Sequence, residues 1–133
     1  MNKRTYYLNV AKAISQRSTC LRAHAGTVIV KDDVIIGTGY NGSARGEVNC
    51  SDIGICKRQQ ENANPGERYD LCPAIHSEVN AILNSQTSCK DATLYLYFER
   101  LDGRKNKHGG PCIGCQRVIK NAMITEIITE EVV

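Results

Sequence analysis

The stretch AIHSEVNAIL, residues 74–83, puts a carboxylate where a fold ordinarily needs an apolar side chain. Read as a helix over 75–84, it carries Ile75, Val79, Ile82 and Leu83 at the spacing of a core-facing stripe, and Glu78 falls on that same side. A buried carboxylate without a partner is costly. The fold must therefore give Glu78 an ion pair, a stripe edge that reaches solvent, or a site that uses its charge.

A second helical stretch, PCIGCQRVIKNA at 111–122, bears on that choice. Its inward stripe is Cys115, Val118, Ile119 and Ala122, and Cys112 lies three residues before Cys115 on the same face. Pro111 opens the helix and places Cys112 in its first turn, where unpaired N–H groups and the helix dipole favour thiolate. A Cys-x-x-Cys pair alone fits a redox couple as well as a metal. His76 and Glu78 are two apart and would diverge by about 200° in mid-helix, so they converge only where a helix begins around them. Two helix starts then offer His76, Cys112 and Cys115 as three zinc ligands, with a fourth position open and Glu78 beside it. That is the pattern of a catalytic zinc, whose water has a pKa brought toward neutrality. H-x-E followed by a strand and by P-C-x-x-C is the signature of zinc-dependent base deaminases.

The rest of the chain divides into regular pieces. Residues 2–17 carry Tyr7, Val10, Ala11 and Ile14 at helical spacing; TVIVKDDVIIGTGYNG predicts strands at Thr27–Val30 and Val34–Thr38 around a tight turn at Lys31–Asp33. From Ser43 to Leu71 no period is visible, which is long for a loop unless something such as a metal orders it. ATLYLYF reads as a strand, residues 99–110 as a polar loop, and the segment near Glu126–Thr129 as a last strand. Helices alternating with strands predict an α/β fold, a sandwich with helices on both faces of a mixed sheet, in one domain over 1–133.

Charge and composition narrow the function classes. With 17 Lys plus Arg against 14 Asp plus Glu, the net charge of +3 is too weak to announce a nucleic-acid partner. No segment approaches the roughly 18 apolar residues of a membrane span and the N-terminus has no apolar signal region, so a cytoplasmic location without membrane partners is expected. Seven cysteines in such a chain point to metal ligation or catalysis before disulfides.

Beyond the zinc signature, STCLRAHAGTVIVKDDVIIGTGYNGSARGEVNC and HSEVNAI resemble the deoxycytidylate (dCMP) deaminases of the cytidine deaminase superfamily, from about Ser15 to Ile128. The resemblance implies a three-layer α/β/α sandwich and hydrolysis of dCMP to dUMP and ammonia, supplying dUMP for thymidylate synthesis. Glu78 is then the catalytic proton carrier, and Asn41, matching the Asn of GYNG, holds the substrate sugar. Taken by itself, Asn41 also suits a turn residue tolerant of positive φ between glycines. Ser77 replaces the Ala of the usual H-A-E, in a position that the family uses through its backbone. Arg22 and Arg45 are the candidates for the 5′-phosphate.

Cys20 and Cys50 match positions that hold a second, structural Zn2+ in some members, with Cys56 and Cys72 in the region of the remaining ligands; separate free thiols are the alternative. Cys89 is most simply a small apolar residue. The family pattern further implies a homohexamer, activation by dCTP with Mg2+ and inhibition by dTTP, with GYNGSARG in the effector region. The loop 99–110 is longer than in animal and phage members. Its Arg100, Arg104, Lys105, Lys107 and His108 fit a solvated loop better than a phosphate site. Two alternatives stand beside dCMP: a deaminase of another substrate, such as cytidine, guanine, tRNA adenosine or a riboflavin precursor, and a non-catalytic zinc module.

Overall fold

The computed structural model describes residues 1–104 and 110–132. Helix α1 spans Lys3–Ser15, and Asn2 caps it by accepting the Thr5 N–H at 2.8 Å. Strands β1 (Ala23–Lys31) and β2 (Val34–Tyr40) form an antiparallel hairpin. Both residues of its turn are left-handed, Asp32 at φ 51° and Asp33 at φ 63°, the geometry that matches the twist of the strands. The strands run farther than the periodicity predicts, because tertiary pairing extends them through polar and glycine positions.

Two residues of β3 (Gly42–Ser43) pair antiparallel with β4 (Ala74–Ile75), and α4 (Ser77–Leu83) follows at once. Strand β5 (Thr93–Arg100) pairs antiparallel with β1, and α5 (Ile113–Asn121) crosses over to β6 (Glu126–Val132), parallel to β5. The main sheet has the order β2-β1-β5-β6 and is mixed, as expected. On one face α1 packs Tyr7, Leu8 and Ala11 on Val28, Val30, Tyr95 and Tyr97. On the other, Ala81 of α4 and Ile119 of α5 pack on Ala25, Ile29, Leu94 and Leu96. The strand alternation thus feeds two cores, giving three layers.

The stretch 43–71 is not structureless. It holds two short helices, α2 (Cys50–Ile53) and α3 (Lys57–Gln60), and a 3-10 turn at Tyr69–Leu71. Buried Arg58 anchors it by donating to the carbonyls of Glu67 (2.9 Å) and Asn64 (3.0 Å) and lying 4.5 Å from the Tyr69 ring centre. Helices this short have too few periodic positions for sequence patterning to register.

Some stripe assignments need correction. Ile75 lies in β4, not in the helix, and Leu83 is 67% exposed; the buried side of α4 is Ser77, Glu78 and Ala81. Val118 is 38% exposed, leaving Cys115 and Ile119 as the buried line of α5. Ile75 leaves the stripe because the chain is still paired as a strand there and the helix begins only after His76. Among the described residues, no helix is long and apolar enough to cross a membrane. Arg100 and Arg104 bind Asp102 at 3.0 and 2.9 Å on the surface, whereas Lys105, Lys107 and His108 lie outside the described residues.

Candidate zinc centre and its carboxylate

His76 and Cys112 are built alike. Each is an N-cap with extended backbone (φ −66°, ψ 150° and φ −65°, ψ 165°), and each gives its carbonyl to the first helical bond, from Asn80 N–H at 3.1 Å and Gln116 N–H at 2.9 Å. Cys112 thus sits one position before the first turn, where its Sγ also accepts the Cys115 N–H at 3.4 Å. As N-cap, His76 projects outside the helical spiral while Glu78 lies within it, and the two groups reach one site despite their spacing.

The placement of α4 depends on β2. A Cβ on Gly39 would lie 2.4 Å from Ala81 N and 2.6 Å from Ser77 O, so only glycine admits the helix at this distance. Asn80 and Asn84 then donate to the carbonyls of Tyr40 (2.9 Å) and Thr38 (3.0 Å), tying the middle and the C-terminal end of the helix to the strand.

Among the described residues, one group of three or more His, Cys, Asp and Glu ligand atoms lies within 4.8 Å of one another: His76, Cys112 and Cys115. His76 Nδ1 is 3.2 Å from Cys115 Sγ and 3.5 Å from Cys112 Sγ. Tetrahedral zinc at ordinary Zn–N and Zn–S lengths separates such donors by about 3.5 Å, so the donor set and its spacing fit the ion. Burial pushes the Cys115 thiol strongly up, and the adjacent Glu78 carboxylate and Cys112 push it further. A dication offsets each of these effects.

Glu78 is 5% exposed, and its Oε1 accepts the Ser77 hydroxyl at 2.8 Å. Ser77 and Thr27 are fully buried, with their hydroxyl oxygens 2.9 Å apart. Thr27 was not expected here; on sequence alone it reads as an ordinary strand residue, because its partner is 50 residues away.

The other expected residues separate. Asn41 does not have positive φ, so the turn role fails; its side chain accepts the Ala25 N–H and donates to the Ala23 carbonyl, both at 2.9 Å, lacing the β2 end to β1. Arg45 donates to Asn84 Oδ1 at 2.8 Å, at the end of α4 opposite His76. Arg22 lies just before β1, its carbonyl accepting Leu101 N–H at 2.9 Å. Burial raises the Cys50 thiol, and the nearby Cys20, Cys72 and Cys56 raise it further, so those three flank it, yet the four do not reach the close mutual spacing of the His76 group. Cys89 is buried, as expected of a small apolar residue, with its thiol 3.3 Å from Ser85 Oγ.

Comparison with known proteins places this geometry. Residues 1–131 match the family model of the cytidine and deoxycytidylate deaminase zinc-binding region. A deoxycytidylate deaminase of Mycobacterium phage D29 is 35% identical over 129 residues, covering 92% of this chain and 90% of the relative. The deoxycytidylate deaminase of Schizosaccharomyces pombe is 30% identical over 124 residues, 93% of this chain, which spans only 35% of that longer protein. The fold is shared with a cyanophage S-TIM5 dCMP deaminase crystallised with dCMP and dUMP, at a TM-score of 0.71, 23% identity, and coverage of 98% of this chain and 84% of that one. The family match over nearly the whole chain, joined to a His/Cys/Cys candidate zinc site at two helix N-termini, shows that the chain belongs to the cytidine and deoxycytidylate deaminase family.

Proposed function

We propose that the protein is a zinc-dependent hydrolase that converts dCMP and water to dUMP and ammonia. The observation that carries the reading is Glu78: a buried carboxylate beside three zinc-type donors, and outside their group. A structural zinc would use a fourth ligand and would have no need of an inward carboxylate. His76, Cys112 and Cys115 would hold the metal, which when bound supplies Lewis acidity and a more acidic water. Glu78 takes the proton released as water adds to C4 of the ring, delivers it to N3, and passes a proton to the departing amine. The choice of dCMP is supported by relatives named for that substrate, foremost the phage protein of nearly equal length. A different cytosine or purine substrate is the second reading, since the zinc signature serves them all.

The proposal extends to contacts and assembly. Ser77 contributes its backbone and Asn41 its remaining amide capacity to the substrate, and of the two arginines Arg22 is the better phosphate candidate, because Arg45 is held at the far end of α4. The three thiols flanking Cys50 support a second, structural zinc among Cys20, Cys50, Cys56 and Cys72. A cytoplasmic homohexamer responsive to dCTP with Mg2+ and to dTTP, without a stable nucleic-acid partner, rests on the GYNGSARG segment and the family pattern. Ammonia release from dCMP, deoxycytidine, CMP, dCTP, cytidine and guanine, each with and without effector, tests the reading. dCMP is expected to give the highest kcat/KM. A zinc-loaded protein that releases ammonia from none of them would be a binding module, and a higher kcat/KM for another compound would reassign the substrate.

A further inference from the structure

We propose that Thr27 and Ser77 are positioning residues that hold the Glu78 carboxylate in its working orientation through a directed chain of hydrogen bonds. This rests on Glu78 being the proton carrier. A serine hydroxyl has one hydrogen, and that of Ser77 goes to Glu78 Oε1 at 2.8 Å. The 2.9 Å contact between Ser77 and Thr27 must therefore be donated by Thr27 Oγ1. The chain runs Thr27 to Ser77 to Glu78, and both hydroxyls are fully buried, so water does not compete for them. A hydroxyl donor to an ionised oxygen makes one of the stronger neutral-to-charged bonds.

The anchor is the middle of the sheet. Thr27 pairs with Gly39 of β2 on one side and with Leu96 of β5 on the other, so its Oγ1 is held by backbone fixed from both flanks. Without this tether, only packing and the neighbouring Cys115 thiol would hold the Glu78 side chain, in a site that must present one oxygen to the reacting water. Catalytic groups displaced by about 1 Å can lose on the order of 10²-fold in rate. The usual alanine of H-A-E cannot donate such a bond, so the device belongs to this chain's Ser77.

Thr27→Val keeps the volume and removes the hydroxyl; Thr27→Ser keeps the hydroxyl and removes a methyl. We expect Thr27→Val and Ser77→Ala to lower kcat by about 10- to 10²-fold with KM within about twofold and zinc content unchanged. Thr27→Ser should recover at least about fivefold of the loss seen in Thr27→Val, whereas a packing role would make the cavity-forming serine the worse variant. In the Ser77→Ala background, Thr27→Val should cause no further loss, because Thr27 acts only through Ser77. Crystal structures of the zinc-loaded variants give a readout apart from activity: one Glu78 rotamer in wild type, and a displaced or second rotamer in Ser77→Ala. An unchanged single rotamer in Ser77→Ala overturns the proposal whatever the rates. If Glu78→Gln is inactive while Ser77→Ala and Thr27→Val stay within twofold of wild type, this inference alone falls. If Glu78→Gln remains active, the proton-carrier reading falls with it.

Discussion

Glu78 is worth most at the scale of single residues because so few alternatives explain it. Among the described residues no ion pair meets it; the Ser77 hydroxyl donates to it at 2.8 Å, and the Cys115 thiol lies beside it. A carboxylate in that setting is tolerated when a metal site and a reaction need it. Glu78→Gln preserves shape and leaves His76, Cys112 and Cys115 intact, so zinc content and melting temperature should stay near wild type. Turnover should fall by more than the roughly 10² to 10⁴-fold typical of one proton transfer, because in the proposed mechanism the same group serves several steps. Near-normal ammonia release from Glu78→Gln would end the mechanism proposed here.

At the scale of elements, Gly26 on the inner strand β1 and Gly39 on the edge strand β2 set distances between layers, and they predict different failures. A Cβ on Gly26 would lie 2.0 Å from Ala11 O and 2.5 Å from Ser15 N, so Gly26→Ala must lift α1 off the sheet. A Cβ on Gly39 would strike the backbone of α4 at Ser77 and Ala81 on the opposite side. Overpacking of this kind costs about 1–3 kcal/mol or more, enough to lower the melting temperature by several degrees in a chain of this size. Both variants should melt lower. Only Gly39→Ala should also lose zinc affinity and turnover per folded molecule, because it moves the helix that presents His76 and Glu78. Equal loss of zinc in the two, measured at a temperature where each is folded, would show that α4 is not seated on β2 by this contact.

For the whole molecule, the segment between β3 and β4 joins the turn before β1 to the strand that leads into α4. Arg58 and its two carbonyl acceptors organise part of it, and Cys20, Cys56 and Cys72 lie near enough to Cys50 to raise its thiol further. Ser51 N–H donates to Thr19 O at 3.1 Å, which joins that segment to the turn before β1. If these thiols share a metal, zinc should measure about two per chain in wild type and about one in Cys50→Ser, with a lower melting temperature. Catalysis should weaken indirectly, since Cys72 stands four residues before His76. One zinc per chain in wild type, unchanged in Cys50→Ser, would mean that hydrogen bonds such as those of Arg58 order the segment without a metal.

Local chemistry was legible because it depends on short spacings. H-x-E and P-C-x-x-C mark two helix starts, the Lys31–Asp33 turn sets the hairpin, and the alternation in ATLYLYF sets a strand; each signal lies within a few residues, and each appears in the fold. What depended on separation along the chain was decided only by the tertiary structure. The turn into α4 from β4 took Ile75 out of the helix, the last residue Leu83 came to face outward, and the backbone of β1 claimed the side chain of Asn41. Thr27 became part of the site's support because sheet pairing and the missing side chain of Gly39 bring it to Ser77. Periodicity records which side of an element faces inward; which atom it meets there is set by how closely the layers can approach.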